Sequence, residues 1–277
     1  MKKYILVLMT ACVWLPMVAQ PLASHRFEER SFSLGGGYTN MLDTYLSPLR
    51  YGGGHVGMMS ECFSQSRVYG GRWYTQSLFA LHGDYASPRS GMGVMVGGMA
   101  DYSYTYYYKA SADEGGFSFY VGPQVQLRIG GIYNLRNSNN PAQLKLGTNL
   151  AVSAMARYAF AWCDVPMNVR LQADLPVLGA AFGPDYGQSY YEIFYLGQGD
   201  GCVHLTSLHN NLSLRANLCY DIQLHACKLR LTLANDLYQW TLGKQYYRMF
   251  THSVMLGYVT NLYRVVREED MRKYIPY

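Results

Sequence analysis

Side chains able to do acid–base chemistry are sparse and scattered in this sequence. His82 and Asp84 are two residues apart, so on a strand they share a face, and Asp101 falls on the next strand. A His–Asp constellation of the kind used by membrane proteases is the only catalytic arrangement this spacing offers. The His-x-Ser spacing of outer-membrane lipases and deacylases is absent, and the adjacent His252 and Ser253 must point to opposite faces of a strand. No catalytic residue is assigned, and a non-enzymatic protein is the expectation. The five cysteines beyond residue 20, Cys62, Cys163, Cys202, Cys219 and Cys227, lack paired metal spacing. A Cys219–Cys227 bridge across one hairpin is compatible with the sequence but not required by it. No cofactor and no metal is expected.

Residues 181–207 carry the densest functional chemistry. Phe182, Tyr186, Tyr190, Tyr191, Phe194 and Tyr195 accompany Asp185, Glu192 and Asp200. Aromatic faces beside carboxylates suit sugar, so surface polysaccharide or lipopolysaccharide is the expected partner. Tyr186, Tyr190, Tyr191, Glu192, Phe194 and Tyr195 are the candidate binding residues. Three acids could also hold calcium. Two structural alternatives stay open: the loop folds back to plug a mouth, packing on Tyr133 or Tyr247, or Ser189–Phe194 is a strand extension.

What must position these groups is a sheet. Apolar and polar residues alternate with period two, as in Val125, Leu127 and Ile129 against Gln124, Gln126 and Arg128, and in Leu229, Leu231 and Leu233 against Arg230 and Thr232. Ten strands are predicted near 27–40, 51–63, 72–85, 92–108, 117–131, 143–160, 166–180, 208–222, 227–240 and 250–264. Most exceed the 9–11 residues that cross a bilayer at a tilt. Tyrosines crowd strand ends, as at Tyr102, Tyr104, Tyr106, Tyr107 and Tyr108, which suits a membrane–water boundary. The fold class is therefore all-β: one antiparallel transmembrane barrel of about 10 strands, in the outer membrane. Twelve strands result if Gln188–Leu196 and Cys202–Leu208 also cross.

Before the barrel, residues 1–20 read as a signal peptide, with Lys2 and Lys3 ahead of a short apolar core. Residues 21–277 form one barrel domain. Removing the two lysines takes the net charge from +5 to about +3, too weak for a nucleic-acid partner. Within the strands, Arg128, Lys145, Arg157, Arg170, Arg215 and Arg230 face inward with Glu61, Asp84, Asp101, Asp174 and Asp236. Either they pair and fill a narrow lumen, or they select ions in a small-solute channel. Turns at 64–71, 110–116, 161–165 and 223–226 are assigned to the periplasm. The longer segments 41–50, 86–91, 132–142, 181–207 and 241–249 are assigned to the exterior. The Gly35–Gly37 and Gly52–Gly54 runs relieve crowding rather than bind phosphate, since no strand–loop–helix setting surrounds them.

Two further stretches carry a family likeness. Leu42-Asp43-Thr44-Tyr45-Leu46-Ser47-Pro48-Leu49 leads into Tyr51-Gly52-Gly53, and Tyr186-Gly187-Gln188-Ser189-Tyr190-Tyr191-Glu192-Ile193-Phe194 follows Pro176-Val177-Leu178-Gly179. Together these resemble an uncharacterised family of Bacteroidota outer-membrane proteins catalogued as a domain of unknown function. The resemblance implies an outer-membrane barrel over nearly the whole chain and brings no activity, ligand or catalytic residue.

Overall fold

The computed structural model describes residues 27–66, 71–111, 116–137, 140–185, 187–224 and 227–263. The predicted signal peptide and Tyr186 lie outside them. Eleven strands run in chain order: β1 (Phe27–Asp43), β2 (Ser47–Gln65), β3 (Trp73–Pro88), β4 (Met95–Lys109), β5 (Phe117–Asn134), β6 (Ala142–Trp162), β7 (Val165–Phe182), β8 (Val203–Ser207), β9 (Leu214–Leu224), β10 (Cys227–Leu242) and β11 (Gln245–Tyr263). One short helix, α1 (Tyr190–Phe194), precedes β8. No helix among the described residues is long and apolar enough to cross a membrane.

Strands pair antiparallel in succession from β1 to β7, from β7 to β9 and from β9 to β11, β1 lies beside β11, and β6 pairs with both β5 and β7. The sheet therefore closes. Ten strands make the wall, while β8 pairs only with the last residues of β7, from Leu178↔Ser207 to Phe182↔Val203. Below that point β7 pairs with β9, from Met167↔Ile222 to Asp174↔Arg215. The twelve-strand alternative fails here. Tyr190–Phe194 is helical rather than extended, and Cys202–Leu208 supplies only a five-residue strand.

The period-two pattern sorts the side chains. Val125, Leu127 and Ile129 stand exposed on the outer wall, as do Leu229 and Leu231, whereas Gln124, Arg128, Arg230 and Thr232 are buried. A soluble barrel does the reverse, keeping apolar groups inside. An apolar exterior around a polar lumen is the arrangement a bilayer demands, since closure pairs every wall strand and leaves no open edge. Exposed aromatics stand near both ends of this band. Tyr38, Tyr85 and Tyr133 mark the end where the long 183–213 connection lies (the loop end), and Phe117, Tyr158 and Trp162 mark the end where β1 begins (the terminal end). Tyr85 and Trp73 on β3 are twelve residues apart, which spans about 30 Å at ~3.3 Å per residue and a tilt near 40°. That is about the hydrocarbon thickness of a bilayer.

Strands extend further at the loop end than expected. The predicted loops 41–50 and 241–249 are mostly strand, with only Thr44–Leu46 and Gly243–Lys244 left as turns. The length difference between the two ends therefore rests chiefly on the single connection 183–213. At the β1–β11 junction a Cβ on Gly35 or Gly37 would overlap the carbonyl of Val254 or His252. These glycines permit the close approach of the two strands, in line with their expected role in relieving crowding.

Candidate functional site

The barrel wall brings His82, Asp84 and Asp101 together in the lumen. His82 Nδ1 lies 3.2 Å from Asp84 and its Nε2 lies 3.3 Å from Asp101. The cross-strand pairing His55↔Asp84 adds a residue the sequence reading did not single out, His55, whose Nδ1 is 2.8 Å from Asp84. Both nitrogens of His82 thus face carboxylates, leaving neither free to take a proton from a nucleophile. The cluster is also buried. His55, His82 and Asp84 are, among the described residues, the group compact enough to hold a metal ion. Arg128, bidentate to Asp101 at 2.7 and 2.9 Å, and Arg215, 3.7 Å from Asp101, already supply positive charge beside it. His252 and Ser253 do point to opposite faces, the histidine outward and the serine inward.

The inward charges form two connected groups. Near the loop end, Arg128 lies over the Tyr238 ring at 3.0 Å, and Arg215 bonds Asp236 and the Tyr238 hydroxyl. Toward the terminal end, Glu61 receives Arg170 at 2.5 and 2.6 Å and Arg230 at 2.8 Å. Arg230 also reaches Glu29 and Asp221, and Arg157 bonds Glu29. Asp174 is held by Gln172 and Ser153. All six lumen charges singled out from the sequence, Arg128, Arg157, Arg170, Asp174, Arg215 and Arg230, therefore have partners. Glu29, Asp43, Asp221 and Lys228 complete the network and were missed. Asp221 shares its face with Arg215, and Lys228 with Arg230, so the period-two rule could have found both.

Toward the terminal end Glu29, Phe63, Arg157, Asp221 and Lys228 line an open hollow of ≈ 390 Å³, but little space remains among the central groups. A cavity bounded by Asp101, Arg128, Asp174, Arg215 and Trp240 measures ≈ 20 Å³, room for about one water. At the loop end an apolar cluster that includes Met41, Tyr51, Met95, Ile132, Trp240, Tyr247 and Met249 fills the lumen. At the terminal end Phe63, Tyr107, Tyr120 and Met155 form a second cluster.

The long connection lies at the loop end and is tied down at several points. Ser189 and Glu192 form a reciprocal capping box that starts α1. The Ser-x-x-Glu spacing is a helix signal in the sequence, within a segment expected to be an outer loop with a strand extension as one alternative. Glu192 accepts the Ser189 N–H at 2.7 Å, and this N–H and the Ser189 hydroxyl hold its carboxyl below the usual range. That engagement takes Glu192 out of any three-acid calcium site with Asp185 and Asp200. Tyr190 accepts the Leu144 N–H at 2.6 Å, satisfying a β6 backbone group just beyond the last β7 pair, Leu146↔Phe182. Burial pushes the Tyr190 hydroxyl up to about 12. The Tyr45 hydroxyl donates to the Gln188 carbonyl, and the Gln245 amide donates to the Pro184 carbonyl. The loop thus packs on Tyr45 and Phe182 rather than on Tyr133 or Tyr247. Tyr191 and Tyr195 stack at 4.8 Å and are 60% and 76% exposed, and Phe194 is also exposed.

All five cysteines beyond residue 20 are free. Cys219 lies opposite Thr232 while Cys227 pairs with Leu224, so the hairpin bridge does not form.

No curated protein matches this chain. Among solved structures, the transport unit of the autotransporter AIDA-I from Escherichia coli is 8% identical, with a TM-score of 0.42 over 92% of this chain and 96% of that one. The translocator domain of the autotransporter NalP from Neisseria meningitidis is 11% identical, with a TM-score of 0.40 over 93% and 95%. The β domain of the Bordetella autotransporter BrkA is 14% identical, with a TM-score of 0.42 over 87% and 100%. What makes this chain a barrel is its own strand pairing. A family model spans residues 4–269, and the chain belongs to the family described as "Protein of unknown function (DUF3316)".

Proposed function

We propose that this protein resides in the outer membrane with its loop end facing the exterior, and that it works as a non-enzymatic surface protein rather than a channel. The observation that carries this reading is the filled lumen. Ion pairs cross it, an apolar cluster occupies it at the loop end, and the 183–213 connection is fastened at that same end. A path for solute would need those groups to part. Chemistry is then left to the exposed face of the loop.

There the stacked Tyr191–Tyr195 pair offers flat apolar area with two hydroxyls, a surface suited to stacking on sugar rings. Asp185 and Asp200 supply nearby exposed acceptors. Surface polysaccharide, including the saccharide part of lipopolysaccharide, is the partner this surface fits. Membership of a Bacteroidota lineage rests on the motif resemblance alone.

The test uses the folded full chain and surface polysaccharide freed of its lipid. Binding should be measurable by calorimetry and lost in the Tyr191→Ser, Tyr195→Ser double variant, because neither ring fastens the loop. The same protein in planar bilayers should give no conductance steps. Binding unaffected by the double variant, or steady single-channel currents, would overturn the reading.

A further inference from the structure

We propose that a groove on the outer wall above β1–β3 binds the phosphate of an anionic membrane lipid. The groove has a volume of ≈ 680 Å³ and is bordered by Tyr38, Asn40, Leu49, Arg50, Ser87 and Arg89. Tyr38, Asn40, Arg50 and Ser87 share the outward face of their strands with Leu34, Val56 and Leu81, three exposed apolar groups of the lipid-facing wall. The groove is therefore continuous with the surface that acyl chains cover.

Its height fits head groups. Tyr38 and Tyr85 mark the end of the apolar band, and Arg50 and Arg89 stand beyond them toward the loop end. Both arginines are exposed, and among the described residues neither forms an ion pair. No acid borders the groove. Arg248 is exposed on β11, close beyond Tyr246, whose carbonyl binds Thr44 at the end of β1. Guanidinium groups form paired hydrogen bonds to phosphate oxygens, so two of them over an apolar shelf suit a phosphorylated lipid.

The floor is a glycine. Gly52 lies between Asn40 and Ser87 in register, and a Cβ there would overlap the Tyr38 hydroxyl. The Tyr38 side chain therefore lies against bare backbone, and the groove keeps its depth.

This proposal depends on the membrane-spanning barrel but not on the loop binding sugar. The folded full chain, with its loop intact, is mixed with phosphatidylcholine micelles containing phosphorylated or dephosphorylated lipid A, and retained lipid is counted by native mass spectrometry. Phosphorylated lipid A should be retained preferentially. The Arg50→Gln, Arg89→Gln double variant should lose about 30-fold in affinity, at ~1 kcal/mol per arginine. Gly52→Val, which keeps both arginines, should weaken retention by filling the groove. Heat-modifiable migration on gels establishes that each variant is folded. Phosphatidylglycerol retained equally well would assign the groove to phosphate in general, and displacement by millimolar inorganic phosphate would overturn the lipid assignment. Equal retention with and without the lipid A phosphate, or no effect of either variant, also overturns it. Loss of polysaccharide binding by the loop would leave these outcomes unchanged.

Discussion

Two regions of the lumen are filled by opposite means. Toward the terminal end, Glu61 stands among Arg170, Arg230 and Gln76, with Glu29 and Asp221 completing the carboxylate shell around Arg230. Toward the loop end, Met41, Met95, Ile132, Trp240 and Met249 pack against one another. Charges that satisfy one another hold strands from opposite walls in register but gain little net stability, because each ion gave up water. Methionine and aromatic packing excludes water and fills irregular space without directional bonds. The ionic region therefore fixes the cross-section, and the apolar region seals it.

The comparison breaks most readily at Arg230, which binds three carboxylates. Arg230→Leu leaves Glu29, Glu61 and Asp221 short of a partner and should cost about 3–5 kcal/mol. Met249→Ala in the apolar cluster should cost about 2–4 kcal/mol, as a cavity the neighbours partly refill. Urea midpoints of barrels folded into vesicles measure both. Equal losses would mean that the two regions do not differ in kind.

A smaller contrast lies across the wall. Leu127 is half exposed on the lipid side, whereas Gln126 points inward and bonds Gln124. Leu127→Arg should cost about 2–4 kcal/mol if it sits at the midplane, with Gln126→Arg milder. Folding yield into lipid vesicles for the two variants decides whether the assigned faces are right.

The smallest effect concerns the loop cap. The folded pKa of Glu192 lies below its unfolded value, so the capping box is intact above the ordinary carboxylate range. Its contribution is lost as pH falls through the lower, folded value. Hydrogen-exchange protection of the Glu192 amide, which donates to the Ser189 hydroxyl, should drop on acidification from about pH 6 to 3 while wall amides keep theirs. Constant protection would show that the contacts of Tyr45 and Tyr190, not the cap, hold the loop.

How much of this was legible in the sequence depended on the strand. β5 and β10 carry clean alternation, because one face meets lipid and the other meets charge, and both were placed within a few residues. β2 does not. Its inward face mixes Tyr51, His55, Met59, Glu61 and Phe63, and its outward face mixes Gly52, Val56, Ser60 and Cys62, so period two is present in the backbone but invisible in hydropathy. His55 was missed for that reason. The loop differs: its run of aromatics reads as an irregular outer loop, or alternatively as a strand extension, whereas the Ser189–Glu192 cap and the uncovered β6 backbone at Leu144 decide for a helix that delivers Tyr190. Packing partners that far apart in sequence leave no local signature.

The junction of β1 with β11 has a consequence for how the chain comes to be folded. Most neighbouring strands are joined by short turns and can pair as hairpins soon after they meet. β1 and β11 are bound across some two hundred residues, as in the Thr44–Tyr246 bond, and loop closure over that distance yields no contact until the ends arrive. Glycines at Gly35 and Gly37 remove the side chains that would obstruct the approach. The seam that closes the barrel thus runs over bare backbone at Gly35 and Gly37, and whatever machinery assists assembly meets there an unpaired edge that only the completed cylinder hides.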